Sequence, residues 1–200
     1  GSTVPVDTRL ALATQFIEEF SADLTRENDV DSVKLIQAEC FMIQSKFGEA
    51  YAIYEELAKK YDARYEKELK EKGQAKRSAR HWQAKLGLAR ARKALRKFSE
   101  ARNDFLFIRQ NVPAGSPEWW AATYDSADCM VELKEYKTAL EMLKVTAHLR
   151  PEMGGKELRD QFLMLLSKIG NVSFPKGERD YGQEARDLIK MITEANEEKK

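Results

Sequence analysis

Residues 89–105, ARARKALRKFSEARNDF, carry a small residue at Ala89, an aromatic nine positions later at Phe98, alanine three beyond that at Ala101, and a large apolar residue at Phe105. The same order recurs on both sides, as Ala38, Phe47, Ala50 and Tyr54 upstream and as Ala127, Tyr136, Ala139 and Leu143 downstream. A weaker echo, Tyr181 followed by Ala185, has a gap of four. Two helices of a hairpin cross closely only where small residues face each other, and an aromatic beside the turn fills the space that remains. The recurrence predicts helical hairpins following one another along the chain.

Composition agrees with an all-α fold. Ala, Leu, Glu, Lys and Arg dominate, and 200 residues hold only 10 Gly and 5 Pro, too few for the turns of a many-stranded sandwich. A single domain over 1–200 is expected, with Gly1-Ser2 read as the remnant of a cleaved tag. No apolar run approaches the roughly 18–20 residues of a membrane span, and the opening residues lack a basic segment followed by an apolar one. Cys40 and Cys129 sit in helical patterns without CxxC spacing or a neighbouring histidine, which favours buried free thiols over a disulfide. The net charge of +1 argues against a generic polyanion binder, yet the charge is uneven. Residues 1–58 carry four basic against eleven acidic side chains, whereas 59–109 carry seventeen basic against six acidic.

Apolar periodicity places the elements. Leu10, Ala13, Ile17, Phe20 and Leu24 step along a first helix over 8–27, with its end near Asn28. Short acids at Asp29 to Asp31 then cap a second helix with a stripe of Val33, Ile36, Cys40 and Ile43. After Phe47-Gly48 a third helix carries Ala50, Tyr54, Leu57 and Ala58, and Tyr61, Tyr65 and Leu69 extend it until Gly73 closes it. Residues 73–78 read as a joint. Further helices are expected over 78–97, 99–111, 119–133, 136–149, 156–169 and 179–196, about 8–10 in all. Ser116-Pro117-Glu118 is a strong helix start, 171–177 a loop, and Glu197-Glu198-Lys199-Lys200 a fraying tail.

In this register the hairpins resemble tetratricopeptide repeats, whose 34-residue unit is a helix-turn-helix with small residues in both helices and a proline at its end. Ala38, Phe41, Phe47, Ala50, Tyr54 and Leu57 match the signature positions in a unit near 31–62. Ala89, Phe98, Ala101, Phe105, Ile108 and Pro113 match in a unit near 82–113, and Ala127, Met130, Tyr136, Ala139, Leu143 and Pro151 in one near 120–151. Segments 8–27 and 156–197 flank them as capping helices. The resemblance implies an α-solenoid of antiparallel hairpins, a right-handed superhelix that binds a protein or peptide. Departures are specific. Ala50 to Ala101 spans 51 positions and Ala101 to Ala139 spans 38, so about seventeen and four extra residues intervene. Arg92 stands where the family prefers an aromatic, Thr146 where it prefers alanine, and the first unit ends at Asp62 without proline.

Catalysis needs convergent titratable or nucleophilic groups, and the sequence offers few. His81 and His148 read as local structural residues, the latter meeting a negative helix end. Glu18-Glu19 and Glu55-Glu56 are adjacent pairs whose side chains splay about 100 degrees apart on a helix. No HExxH, GxSxG or phosphate-binding loop is present; Gly154-Gly155 lacks the spacing and the lysine. Neither an enzyme, a metal site nor a cofactor is expected.

The expected function is a protein-interaction scaffold, with polyanion or nucleic-acid binding as the alternative. The repeat register lines a groove with Gln83, Arg90 and Lys93 from one unit and Tyr124, Asp125 and Asp128 from the next. Trp119-Trp120 occupy neighbouring helical positions that point apart, so one ring is free either to pack on the preceding hairpin or to meet a partner. The basic stretch Lys76, Arg77, Arg80, Lys85, Arg90, Arg92, Lys93, Arg96, Lys97 and Arg102 admits three roles: a solvated or internally complemented face, a surface for an acidic protein, or a phosphate track. Only Trp82 is interleaved through its densest part, which argues against base stacking and hence against nucleic acid. Family domains that clamp the acidic tail of chaperones use Lys, Asn and Arg where this chain has Leu35, Glu39, Gly87, Ala121 and Asp125, so that clamp is absent.

Overall fold

A computed structural model describes residues 4–175 and 179–197. The tag-like Gly1-Ser2, the loop residue Gly177 and the tail residues 198–200 lie outside them. Nine α-helices and no strand occur among the described residues: α1 Val6–Phe20, α2 Glu27–Ile43, α3 Phe47–Lys72, α4 Ala79–Ala94, α5 Phe98–Asn111, α6 Pro117–Glu132, α7 Tyr136–Leu149, α8 Lys156–Gly170 and α9 Tyr181–Glu197. The chain divides into two compact units, 1–104 and 105–200, with the boundary inside α5.

The three repeated hairpins are built alike. All six small residues of the pattern, Ala38, Ala50, Ala89, Ala101, Ala127 and Ala139, are fully buried, which is where close helix crossing needs them. Each turn also places an ordinary residue in the left-handed region two positions before the aromatic: Ser45 at φ 60°, Arg96 at 61° and Lys134 at 60°. The next amide then reaches the carbonyl five residues back, Lys46 to Phe41 and Lys97 to Arg92 at 2.9 Å and Glu135 to Met130 at 2.8 Å. This is the Schellman closure that satisfies the last carbonyls of a helix, here made three times without glycine.

In the first unit, Leu35, Ala38, Tyr54, Leu57, Tyr61, Ala84 and Leu88 form the centre of the core. The extra residues after the first hairpin go largely into α3, which runs for 26 residues against 14 in each of α5 and α7 and ends at Gly73 as its sequence indicates. The extension packs back on α4 through Tyr61 and His81, whose rings lie 5.8 Å apart. His81 is buried, and its Nε2 lies 2.8 Å from Asp62 Oδ1 while Lys85 donates to Asp62 Oδ2 at 2.7 Å. Burial lowers the His81 pKa, against the pull of Asp62, and the ring is held neutral. For Asp62 burial acts upward, but the hydrogen bonds from Lys85 and His81 outweigh it and keep the carboxylate below its usual range.

Two expectations fail near the N-terminus. The first helix ends at Phe20, not near Asn28, and after one 3-10 turn at Leu24–Arg26 the second begins at Glu27. Asp31 does not cap it. That side chain is buried four residues into α2, where Lys60 of α3 donates to it at 2.7 Å. The predicted apolar stripe of α2 holds only in part: Cys40 is buried and Val33 half-buried, but Ile36 and Ile43 are exposed, while Leu35, outside the stripe, is buried. A helix contacted by α1, α3 and α4 has more than one covered side, so a single stripe cannot be phased from spacing alone.

In the second unit, Phe162, Leu143, Leu165, Leu166, Ile169 and Ile192 are fully buried. Ser116 starts α6 as expected, its Oγ accepting from the Trp119 amide at 3.2 Å with Pro117 in the first turn. Both cysteines are buried free thiols.

Candidate functional site

The first unit has an open groove of about 330 Å³ between α2, α3 and α4. Its walls are Glu39, Met42 and Ile43 from α2, Tyr54 from α3, and Gln83, Leu86, Gly87 and Arg90 from α4. Gln83 Nε2 donates to Glu39 Oε1 at 3.0 Å, tying the two polar residues of the rim together. Ile43 is 60% exposed, an unusual position for a large aliphatic side chain next to Met42 and Leu86. Gly87 lets the buried Tyr54 ring lie against α4: a Cβ there would stand 2.3 Å from it. Two sequence candidates, Gln83 and Arg90, therefore share one groove, and Lys93 lies on the next turn, partly buried. Sequence reasoning placed Ile43 in the apolar stripe of the second helix and assigned no role here to Met42 or Leu86.

The basic stretch does not act as one set. Lys85 is drawn to Asp62, Arg92 pairs with Asp104, and Arg77 lies over the Tyr65 ring with its guanidinium carbon 4.0 Å from the centroid. Arg92 also lies 5.9 Å from the Tyr51 ring, so a stacked, paired guanidinium fills the place where the family prefers an aromatic. Burial pushes the Asp104 carboxyl up despite that pairing. Lys76, Arg80, Arg90, Arg96 and Lys97 are exposed, and Arg102 is partly buried beside Asn103.

In the second unit the remaining candidates are largely covered. Trp119 and Trp120 are each only 8% exposed and meet edge to face at 4.8 Å, so of the two roles left open for the second ring the structure shows packing. Both find cover because α6 has neighbours on two sides. Trp120 packs on Phe162 of α8 at 6.2 Å, and the guanidinium groups of Arg109 and Arg150 lie 5.0 and 5.8 Å from the Trp119 ring. Tyr124 also meets Phe162, at 5.4 Å, Asp125 is buried, and Asp128 lies 3.5 Å from Lys168 Nζ. His148 Nδ1 lies 2.9 Å from the Lys144 carbonyl in its own helix. No group of three or more metal-ligating side chains occurs among the described residues, and no described helix is long and apolar enough to cross a membrane.

No family model and no curated protein matches this chain. Two solved structures share its fold, both of a candidate kinesin light chain from Podosopora anserina with nearly identical TPR-like repeats. One of them, a point variant, superposes with a TM-score of 0.66 at 16% identity over 96% of this chain and 89% of the other. The second gives 0.66 at 14% identity over 96% and 88%. The fold is that of TPR-like helical repeats.

Proposed function

We propose that this TPR-like chain is a protein-interaction scaffold that takes a peptide segment of its partner into the groove between α2, α3 and α4. The observation that carries this reading is the exposed Ile43 in a groove it shares with Met42, Leu86, the Glu39–Gln83 pair and Arg90. Such a surface suits an apolar side chain next to an acidic one: the aliphatic floor removes the first from water and Arg90 attracts the second. Scaffolding by TPR-like folds supports the reading in general terms.

A displayed library of random peptides, panned on the intact chain, tests it. Enrichment of sequences with an apolar residue beside an acid, lost on Ile43→Asp and weakened on Arg90→Glu, is the expected result. Enrichment that ignores Ile43→Asp, or no enrichment above a scrambled library, overturns the groove.

A further inference from the structure

The second unit holds a pocket of about 380 Å³ at the end of α7, walled by Arg109, Ala114, Trp119, Val145, Leu149 and Arg150. Its charge is one-sided: neither guanidinium is paired with a carboxylate among the described residues, and the wall contains no acid. Arg109 is fixed on one side by the Trp119 face and by its Nε, which donates to Thr123 Oγ1 at 3.1 Å. Burial lowers its pKa, with no neighbouring charge contributing. A partly buried cation without a counter-charge weakens the fold instead of supporting it, so a ligand anion is the natural complement. Arg150 is held by a bond from Nη2 to the Ala114 carbonyl at 3.1 Å. Gly115 leaves it room: its φ is +89°, and a Cβ there would lie 2.8 Å from Arg150 Nη1. Beside the two cations, Val145 is 56% and Leu149 77% exposed, an apolar shelf at the pocket mouth.

The geometry points to a docking site for an internal acidic side chain of a partner protein, its carboxylate held by Arg109 and Arg150 and its apolar neighbours resting on Val145 and Leu149. Guanidinium forks match carboxylates in plane and give the bond its direction. Because one edge of each guanidinium is already spent on Thr123 or Ala114, the remaining donors suit a monoanion held between them. This rests on the scaffold reading, though not on its groove.

The test uses the intact ¹⁵N-labelled chain and a capped pentapeptide, Leu-Leu-Glu-Leu-Leu with acetylated and amidated ends, followed at the Trp119 indole signal assigned through Trp119→Phe. A saturable shift is expected, weakened at least tenfold by Arg109→Gln and by Arg150→Gln, each verified as folded by circular dichroism, and absent for the Gln counterpart of the peptide. Equal shifts from the Glu and Gln peptides would leave only an apolar patch and overturn the site. So would no shift at millimolar peptide, or unchanged binding by Arg109→Gln and Arg150→Gln together. Stronger binding of an uncapped all-leucine peptide would reassign the anion to a chain end and likewise overturn the internal acid. Ile43→Asp separates the two sites: the Trp119 shift persists in that variant if this site stands, whether or not the groove selects peptides.

Discussion

His81 is a residue whose ionisation the fold controls near neutral pH. Its folded pKa is lowered from 6.5 chiefly by burial, so below that value the unfolded chain binds a proton that the native ring resists. The contribution is complete above about pH 6.5 and is lost as pH falls through it toward the folded value. Urea midpoints should therefore drop between pH 7.5 and 5.5, and His81→Gln should flatten that part of the profile; a midpoint that rises on acidification would reverse the assignment. Gly87 is fixed by packing instead. A helix interior ordinarily gains about 1 kcal/mol from Gly→Ala, but here the new methyl meets the buried Tyr54 ring at 2.3 Å. Gly87→Ala should cost about 1–3 kcal/mol net, read as a lower urea midpoint, and Tyr54→Leu in the same background should recover part of it.

At the scale of the element, the turns repeat more faithfully than the helices. Ser45, Arg96 and Lys134 each hold a side chain at positive φ, where glycine is the usual occupant. Substituting glycine at any one of them should stabilise the chain by about 0.5–1 kcal/mol, the relief of left-handed strain being partly offset by the freer unfolded backbone. Thermal denaturation of the three single variants and the triple variant checks this, and near-additive gains are expected because the turns are far apart in sequence and share no partners. Destabilisation by all three would mean that the side chains contribute contacts exceeding the strain. Helix starts divide along similar lines: Ser78 and Ser116 accept from the amides three residues on, whereas α2, α3 and α7 have no side-chain cap. Those helices start where packing or a turn fixes them: the start of α7 follows from the aromatic beside its turn, whereas that of α2, with neither cap nor such a turn, escaped prediction.

For the whole molecule, repeat architectures are held by neighbour-to-neighbour contacts, so damage should stay local. Gly87→Ala should speed amide exchange at 84–91 far more than at 165–169, measured by mass spectrometry or NMR; equal acceleration would indicate one cooperative block in place of two compact units. The sequence by itself determined the hairpins, their order and their turns. An alanine opposite an alanine and an aromatic beside the turn are local requirements, written within some twenty residues. The long α3 was legible for the same reason, since it follows from residue types at fixed offsets. Only the tertiary structure decided which apolar residues stay outside the core and which charges find partners. Ile43 reads as core but is exposed, Asp31 reads as a cap but is buried on Lys60, and Trp119 is covered by cations ten positions before it and thirty-one after it. Burial on a helix with several neighbours depends on where those neighbours cross it. That geometry is set by long-range packing, and no periodicity within one segment contains it.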